Sequence, residues 1–303
     1  MNTTQSHLPT TIPEYLEQLR AALRGADPAM IQDAVYDAEE YLRSEFAEQS
    51  GKNEAEVIAS VAGSYGAPAE VAEIYRDTEV TVNRALRAPL QAKRKSAMGQ
   101  FFGVVVDPRT YGALFYMLLS LATGIFYFTV VTTGASLSLS LLILIIGIPL
   151  LVLFLALIRV LSLVEGRVVE TLLGERMPRR PLYTQRGKGW LERIKDMFTD
   201  GRSWTAMLYF LLMMPLGAAY FTIAVTLLLA SLAFIGAPIA YLFVDSPDFI
   251  SLGSVDPSAV PWLLPLMSIA GLLLLFATLH LARFIGRLHG RLAKHLLVRN
   301  AVV

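Results

Sequence analysis

The stretch "DPRTYGALFYMLLSLATGIFYFT", residues 107–129, lies without a gap over "DGRSWTAMLYFLLMMPLGAAYFT", residues 200–222. Asp107 falls on Asp200, Arg109 on Arg202, Tyr116 on Tyr209, Gly124 on Gly217, and Tyr127-Phe128-Thr129 on Tyr220-Phe221-Thr222. A second pair follows. "RVLSLVEGRVVETLL" (159–173) lies over "RFIGRLHGRLAKHLL" (283–297), placing Arg159 on Arg283, Gly166-Arg167 on Gly290-Arg291 and Leu172-Leu173 on Leu296-Leu297. Shared hydrophobicity does not align Asp, Arg, Gly and Tyr, so the sequence reads as a tandem duplication. Each unit is an outward span, a break, a return span and a basic amphipathic tail. With two crossings per unit, both units enter from the same side, and a pseudo-twofold along the membrane normal relates them. Inverted repeats are the commoner setting for alternating access, so a parallel repeat disfavours a secondary transporter.

Composition agrees with a membrane protein. The chain has 303 residues, 54% of them hydrophobic and 17% charged, with a mean hydropathy of +0.52. A soluble enzyme of this size carries more charge than that. There is no cysteine, which excludes disulfides and thiolate metal sites. Three parts are expected: a soluble acidic helical domain (1–80), a basic amphipathic linker (81–106) and a membrane domain (107–303). Repeat one of the membrane domain spans 107–180 and repeat two spans 200–303. The N-terminus "MNTTQSHLPT" lacks the basic and apolar regions of a signal peptide, so the acidic domain is expected to stay in the cytoplasm.

Lys and Arg set the expected orientation. Six lie in 81–110, nine in 166–203, and five from Arg283 to Arg299. The segments 134–140 and 241–261 hold none, and the latter carries Asp245, Asp248 and Asp256. Basic segments face the cytoplasm. The pattern predicts four spans with both termini inside.

The runs "IIGIP" (145–149) and "FIGAP" (234–238) each place Gly and Pro two positions apart in apolar sequence, and both residues weaken a helix. Gly147, Pro149, Gly236 and Pro238 are therefore helix-break candidates, and the second helix of each repeat is expected to be proline-broken. Residues 205–244 are too long for one span, so 228–244 is read as a kinked or re-entrant piece before a final span at 262–283.

In the acidic domain, Thr11 and Glu14 form a capping-box pattern, with Tyr15, Leu16, Leu19 and Leu23 on one face. Asp27-Pro28 starts a second helix with Ile31, Val35, Ala38, Leu42 and Phe46 inward. Asn53 and Glu56 open a third, and Pro68 opens a short fourth. Residues 1–80 carry a charge of −10 from fifteen acids and five bases. The linker's first reading is an anchor on anionic lipids. A latch against the acidic domain and nucleic-acid binding are the alternatives, and direct nucleic-acid contact is not expected.

No chemistry-bearing constellation stands out. There is no phosphate-cradling glycine loop, no H-E-x-x-H and no nucleophile elbow. His289 and His295 are six residues apart, too far to share a helix face for a metal. His280 reads as a packing or interfacial residue. The spans are read as free of acids, against the habit of ion-coupled carriers. Arg159 and Arg283 are expected to snorkel to the inner interface, or else to bind a lipid phosphate or pair with Glu165. Arg167 and Arg291 join them as lipid or interface candidates. The four matched tyrosines read as belt or packing residues, and Ser120 with Gly124 as a small-residue helix contact. Neither an enzyme nor a cofactor is expected.

"YLEQLRAALRG", "EEYLRSEFAE" and "GAPAEVAEIY", within residues 12–80, resemble the small α-helical signalling domain called HAAS. "LLILIIGIPLLVLFLALIR", "GRVVETLLG" and "PLGAAYFTIAVT", within 107–300, resemble the sensor domain of bacterial membrane proteins and some histidine kinases. After its second span that family usually shows a Glu-Arg pair; here Glu165-Gly166-Arg167 stands. The resemblance implies an all-α signalling protein with a PadR-like regulator as the expected cytoplasmic partner, and carries over no functional residue; Gly66, Pro68 and Glu70 are partner-docking candidates. Other expected partners are membrane lipids, a membrane protein or a second copy of the chain.

The orientation has a direct test, since the chain has no cysteine of its own. A Ser254→Cys variant is expected to react with a membrane-impermeant maleimide from outside intact cells, and Asn300→Cys only after lysis. The reverse result would invert the threading.

Overall fold

The computed structural model describes residues 9–49, 51–86, 97–144, 146–180, 195, 198–241, 243 and 262–298. Among them every regular element is helical. Helices α1 (Ile12–Ala22), α2 (Pro28–Glu48), α3 (Glu54–Ser64) and α4 (Pro68–Leu86) share one core of Tyr15, Leu16, Leu19, Leu23, Leu42, Ile58 and Val71. Their starts are built as the sequence suggests. Asp27 accepts from the Ala29 N–H, and Asn53 and Glu56 form a complete capping box. At α1 the box is redirected: Thr11 accepts from the Glu14 N–H, but the Glu14 carboxylate takes the Thr10 N–H instead of the Thr11 one. Phe46, expected inward, is 44% exposed, because the last turns of α2 run past the core. Helix α4 is longer than the expected short piece and passes residue 80.

A short α5 (Ala97–Phe102) leads into four long helices: α6 (Pro108–Ser140), α7 (Gly147–Leu173), α8 (Gly201–Tyr241) and α9 (Leu263–Leu297). All four are long and apolar enough to cross a membrane. The closest pairing is α6 with α8, flanked by α8 with α9 and α6 with α7.

The two Gly-x-Pro elements differ from the expectation. Gly147 and Pro149 lie in the first turn of α7, so they begin an unbroken second helix. There Pro149 sits among the first four residues, whose N–H groups have no intrahelical partner anyway. Gly236 and Pro238 lie near the end of α8, which runs unbroken through 228–241 and also contains Pro215. No re-entrant piece forms in that span. A break there would strip several backbone groups of partners in lipid, whereas proline in a continuous helix removes one hydrogen bond. At 1.5 Å per residue α8 is about 60 Å long, roughly twice the hydrocarbon layer. The final helix likewise continues past residue 283 to Leu297. Gly271, twelve residues before Arg283 as Gly147 is twelve before Arg159, receives Phe234 and Ile235 of α8.

Two glycines set the α6–α8 separation. A Cβ on Gly124 would collide with the Met213 carbonyl, and one on Gly217 with the Ser120 carbonyl. Backbone meets backbone at both points, so Ser120 and Gly124 do form a small-residue contact. Gly217→Val and Gly124→Val are each expected to cost about 1–3 kcal/mol or more by overpacking, read as a lower melting temperature in detergent. Gly236→Ala, with nothing within 4 Å of its Cβ, is expected to leave the melt unchanged.

Candidate functional site

Where α6, α7, α8 and α9 meet, a carboxylate is sealed inside the bundle. Glu165 of α7 and His289 of α9 both have no exposed surface. Tyr116 and Tyr209 donate to Glu165 Oε1 at 2.7 and 2.8 Å, and Tyr127 donates to Oε2 at 2.9 Å. The same two hydroxyls reach His289 Nε2, at 2.6 Å from Tyr116 and 2.9 Å from Tyr209. The Tyr220 ring stands edge-on to the His289 ring, 5.6 Å between centroids. Glu165 follows Arg159 by six residues, and His289 follows Arg283 by six.

This corrects the expectation that the spans carry no acid. Helix α7 continues to Leu173, so Glu165 is a helix residue about 27 Å along the axis from Gly147, not part of a loop. Tyr116, Tyr127 and Tyr209 are hydrogen-bond donors, not belt residues. His289, not expected to bind metal because of its spacing from His295, is the fifth member of the cluster. The signal was present: the register that sets Arg159 on Arg283 also sets Glu165 on His289.

Arg159 does not meet Glu165. It pairs with Asp200 at 3.1 Å, and Arg283 pairs with Asp107 at 2.8 Å, each ion pair joining the end of one helix pair to the start of the other. Arg167 pairs with Glu170 and donates to the Pro178 carbonyl at 3.2 Å. Arg291 is exposed. His280 packs on the Phe101 ring and reaches its carbonyl at 3.1 Å. Gly66, at φ +109, offers its carbonyl to Tyr15 at 2.7 Å; Pro68 starts α4, and Glu70 accepts from the Ala67 N–H. In this structure those three build the turn between α3 and α4.

Beyond Glu165, α7 ends at Gly174, whose φ of 73 turns the chain. The strap that follows lies across the cluster's roof. Met177 packs on Gly166, and a Cβ on Gly290 would press into the Glu175 side chain. The strap then holds the N-terminal domain. Asp33 accepts from the backbone N–H groups of Arg179 (2.7 Å) and Arg180 (3.0 Å) and faces Arg176 at 3.8 Å. Asp37 pairs with Arg180 at 3.1 Å, and Asp27 with Lys294 at 2.5 Å. Gln32 bonds the Arg180 carbonyl and the Arg202 guanidinium. A latch thus exists, made by the middle block and α9; residues 87–96 of the basic linker assigned that alternative, with Arg87, Lys93, Arg94 and Lys95, lie outside the described residues. Burial pushes the Asp33 carboxyl above its ordinary value, with the two N–H groups and Arg176 pulling it back.

Replacing a donor tests the cluster. Tyr127→Phe leaves Glu165 Oε2 without a partner and is expected to cost about 1–3 kcal/mol, measured as thermal stability in detergent. Tyr111→Phe, whose exposed hydroxyl bonds the Val105 carbonyl, is expected to change little.

A family model described as "Putative sensor" matches residues 116–297. The match starts at Tyr116 and takes in Tyr127, Glu165, Tyr209 and His289. No curated protein and no solved structure matches the chain. The match covers more than half of the sequence, and the chain belongs to this sensor family.

Proposed function

We propose that the chain relays a membrane or envelope signal, such as a lipid or small amphiphile, to a cytoplasmic partner by repositioning its acidic helical domain. On this reading it is not an enzyme and needs no cofactor. The helical domain is HAAS-like, the basic segments and both termini face the cytoplasm of a bacterial cell, and a PadR-like regulator is the partner. The observation that carries the reading is the chemistry of the docking contact. Asp27, Gln32, Asp33 and Asp37 are held by hydrogen bonds and ion pairs, while the helical domain and the bundle keep separate apolar cores. A domain held by charge is released without exposing a core, as a relay requires two states of similar free energy.

The bundle itself we infer to be two copies of a two-pass unit. Contacts swap across the copies as a twofold demands. Tyr127 packs on Phe210 and Gly286 on Ala113, however, so α6 and α8 run in opposite directions, and the twofold lies across the helices, not along them as the parallel repeat predicts. Arg159 takes Asp200 while Arg283 takes Asp107; Gly124 sits on Met213 while Gly217 sits on Ser120; Tyr127 meets Glu165 while Tyr220 meets His289.

Docking through half-exposed pairs is expected to weaken with salt. Because the buried Asp33 carboxyl is raised, the docked state takes up its proton more readily than a solvated carboxyl does, so acid does not release the domain through Asp33. Asp33→Lys, which sets like charges against Arg176, Arg179 and Arg180, is expected to raise hydrogen exchange in α2 of the full chain in nanodiscs. Purification in mild detergent with mass spectrometry of proteins and lipids tests the relay. A cytoplasmic regulator whose recovery changes about threefold or more with Asp33→Lys supports it, that being the effect of one such ion pair. A stoichiometric membrane partner retained without residues 9–86 makes the chain a scaffold and overturns it.

A further inference from the structure

The buried cluster poses a question of proton count. Tyr116, Tyr209 and Tyr127 all direct their hydrogens at Glu165. With those hydrogens used, the oxygens of Tyr116 and Tyr209 are only acceptors toward His289, so Nε2 carries a hydrogen. Nδ1, on the other side of the ring, is buried and has no hydrogen-bond partner among the described residues. The arrangement therefore holds one negative charge and one open basic nitrogen, 0% exposed, bridged by two hydroxyls.

The neighbours do not supply a countercharge. Glu165 is faced by Tyr116 and Tyr127 from α6, Tyr209 from α8 and, across these hydroxyls, His289 from α9. His289 is faced by Tyr116, Tyr209 and Tyr220. On α7 itself, Arg167 is engaged by Glu170, and the strap brings Glu175 beside Gly290. Among the described residues no Lys or Arg forms an ion pair with Glu165. An uncompensated carboxylate away from water costs several kcal/mol, and one proton removes that charge.

We propose that Glu165 and His289 form a site for a single proton inside the bundle, shared between carboxylate and imidazole through the hydroxyls of Tyr116 and Tyr209. A proton arriving at Nδ1 makes an imidazolium that keeps its Nε2 hydrogen, and the cluster passes from one negative charge to none. If Nε2 then gives its hydrogen to the oxygen of Tyr116 or Tyr209, that tyrosine gives its own to Glu165 Oε1. The result is a carboxylic acid beside a neutral imidazole with its hydrogen on Nδ1. No electron is transferred and nothing leaves. The titration belongs to the pair. Gly166 and Gly290, the residues after Glu165 and His289, carry the strap that holds Asp33. Proton uptake thereby acts on the docked domain; this output rests on the relay reading, whereas the proton site does not.

Difference infrared spectroscopy of the full chain in phosphatidylcholine vesicles, titrated with acid, tests the site. The expected result is a protonated-carboxyl stretch that shifts in D2O and is lost in Glu165→Gln. In His289→Gln the proton has only the carboxyl to occupy, and the band is expected to grow at neutral pH. Tyr209→Phe keeps the ring and is expected to move the band by removing one donor, which keeps the test open should Glu165→Gln fail to fold. No acid-dependent carboxyl band, or a band that none of the three variants alters, overturns the proposal. Disulfide formation between Gln32→Cys and Arg180→Cys reads the docked state separately. A band that responds as expected, with crosslinking indifferent to pH, upholds the site and removes its link to the relay.

Discussion

A carboxylate taken out of water inside a helix bundle needs donors, and no single helix can supply them. That constraint fixes the register of all four long helices here. Glu165 is on α7, two of its donors are on α6, the third is on α8, and the imidazole that shares two of them is on α9. Sliding any one helix by a turn, about 5.4 Å, would strand a buried polar group. The donors meet only because α6 and α8 approach closely, and they approach closely because Gly124 and Gly217 leave nothing between the backbones. Apolar packing alone would tolerate many registers, since lipid is as apolar as leucine. The polar cluster selects one.

The same region governs the N-terminal domain. Five residues after His289, Lys294 holds Asp27; eleven after Glu165, Arg176 faces Asp33. The strap that carries Arg176 is seated beside the cluster, Met177 on Gly166 and Glu175 on Gly290. The pairs made by Asp27 and Asp37 are partly exposed and individually weak, whereas Asp33 is buried.

Much of the architecture was legible in the sequence, because long apolar runs and clustered Lys and Arg are direct records of the solvent each segment meets. The capping residues Asp27 and Asn53 were equally plain. The Gly-x-Pro elements misled because local propensity was taken to outweigh backbone satisfaction; in lipid the balance is reversed, and α8 runs through Pro215 and Pro238. The cluster was missed because Glu165 stands at the edge of a basic block, where a charged residue looks like loop. Only its position opposite His289 in the aligned tails marked it. The latch was sought in 81–110, yet its cations come from 176–202 and Lys294, a pairing across more than 140 residues that composition cannot reveal.

On the proposal that the bundle is two copies of a two-pass unit, the pair at the centre also bears on why both share one chain. In a homodimer of a single two-pass unit, the position of Glu165 and His289 would hold the same side chain twice. Two carboxylates sharing the same pair of tyrosines would repel one another, and one would be driven to protonate. Two neutral imidazoles would offer the hydroxyls a weaker acceptor than a carboxylate and no negative charge. Fused copies can diverge, and a glutamate opposite a histidine satisfies both tyrosines while leaving one nitrogen open. That single position departs from the pattern of the other contacts, in which each helix pair gives the other the same kind of residue.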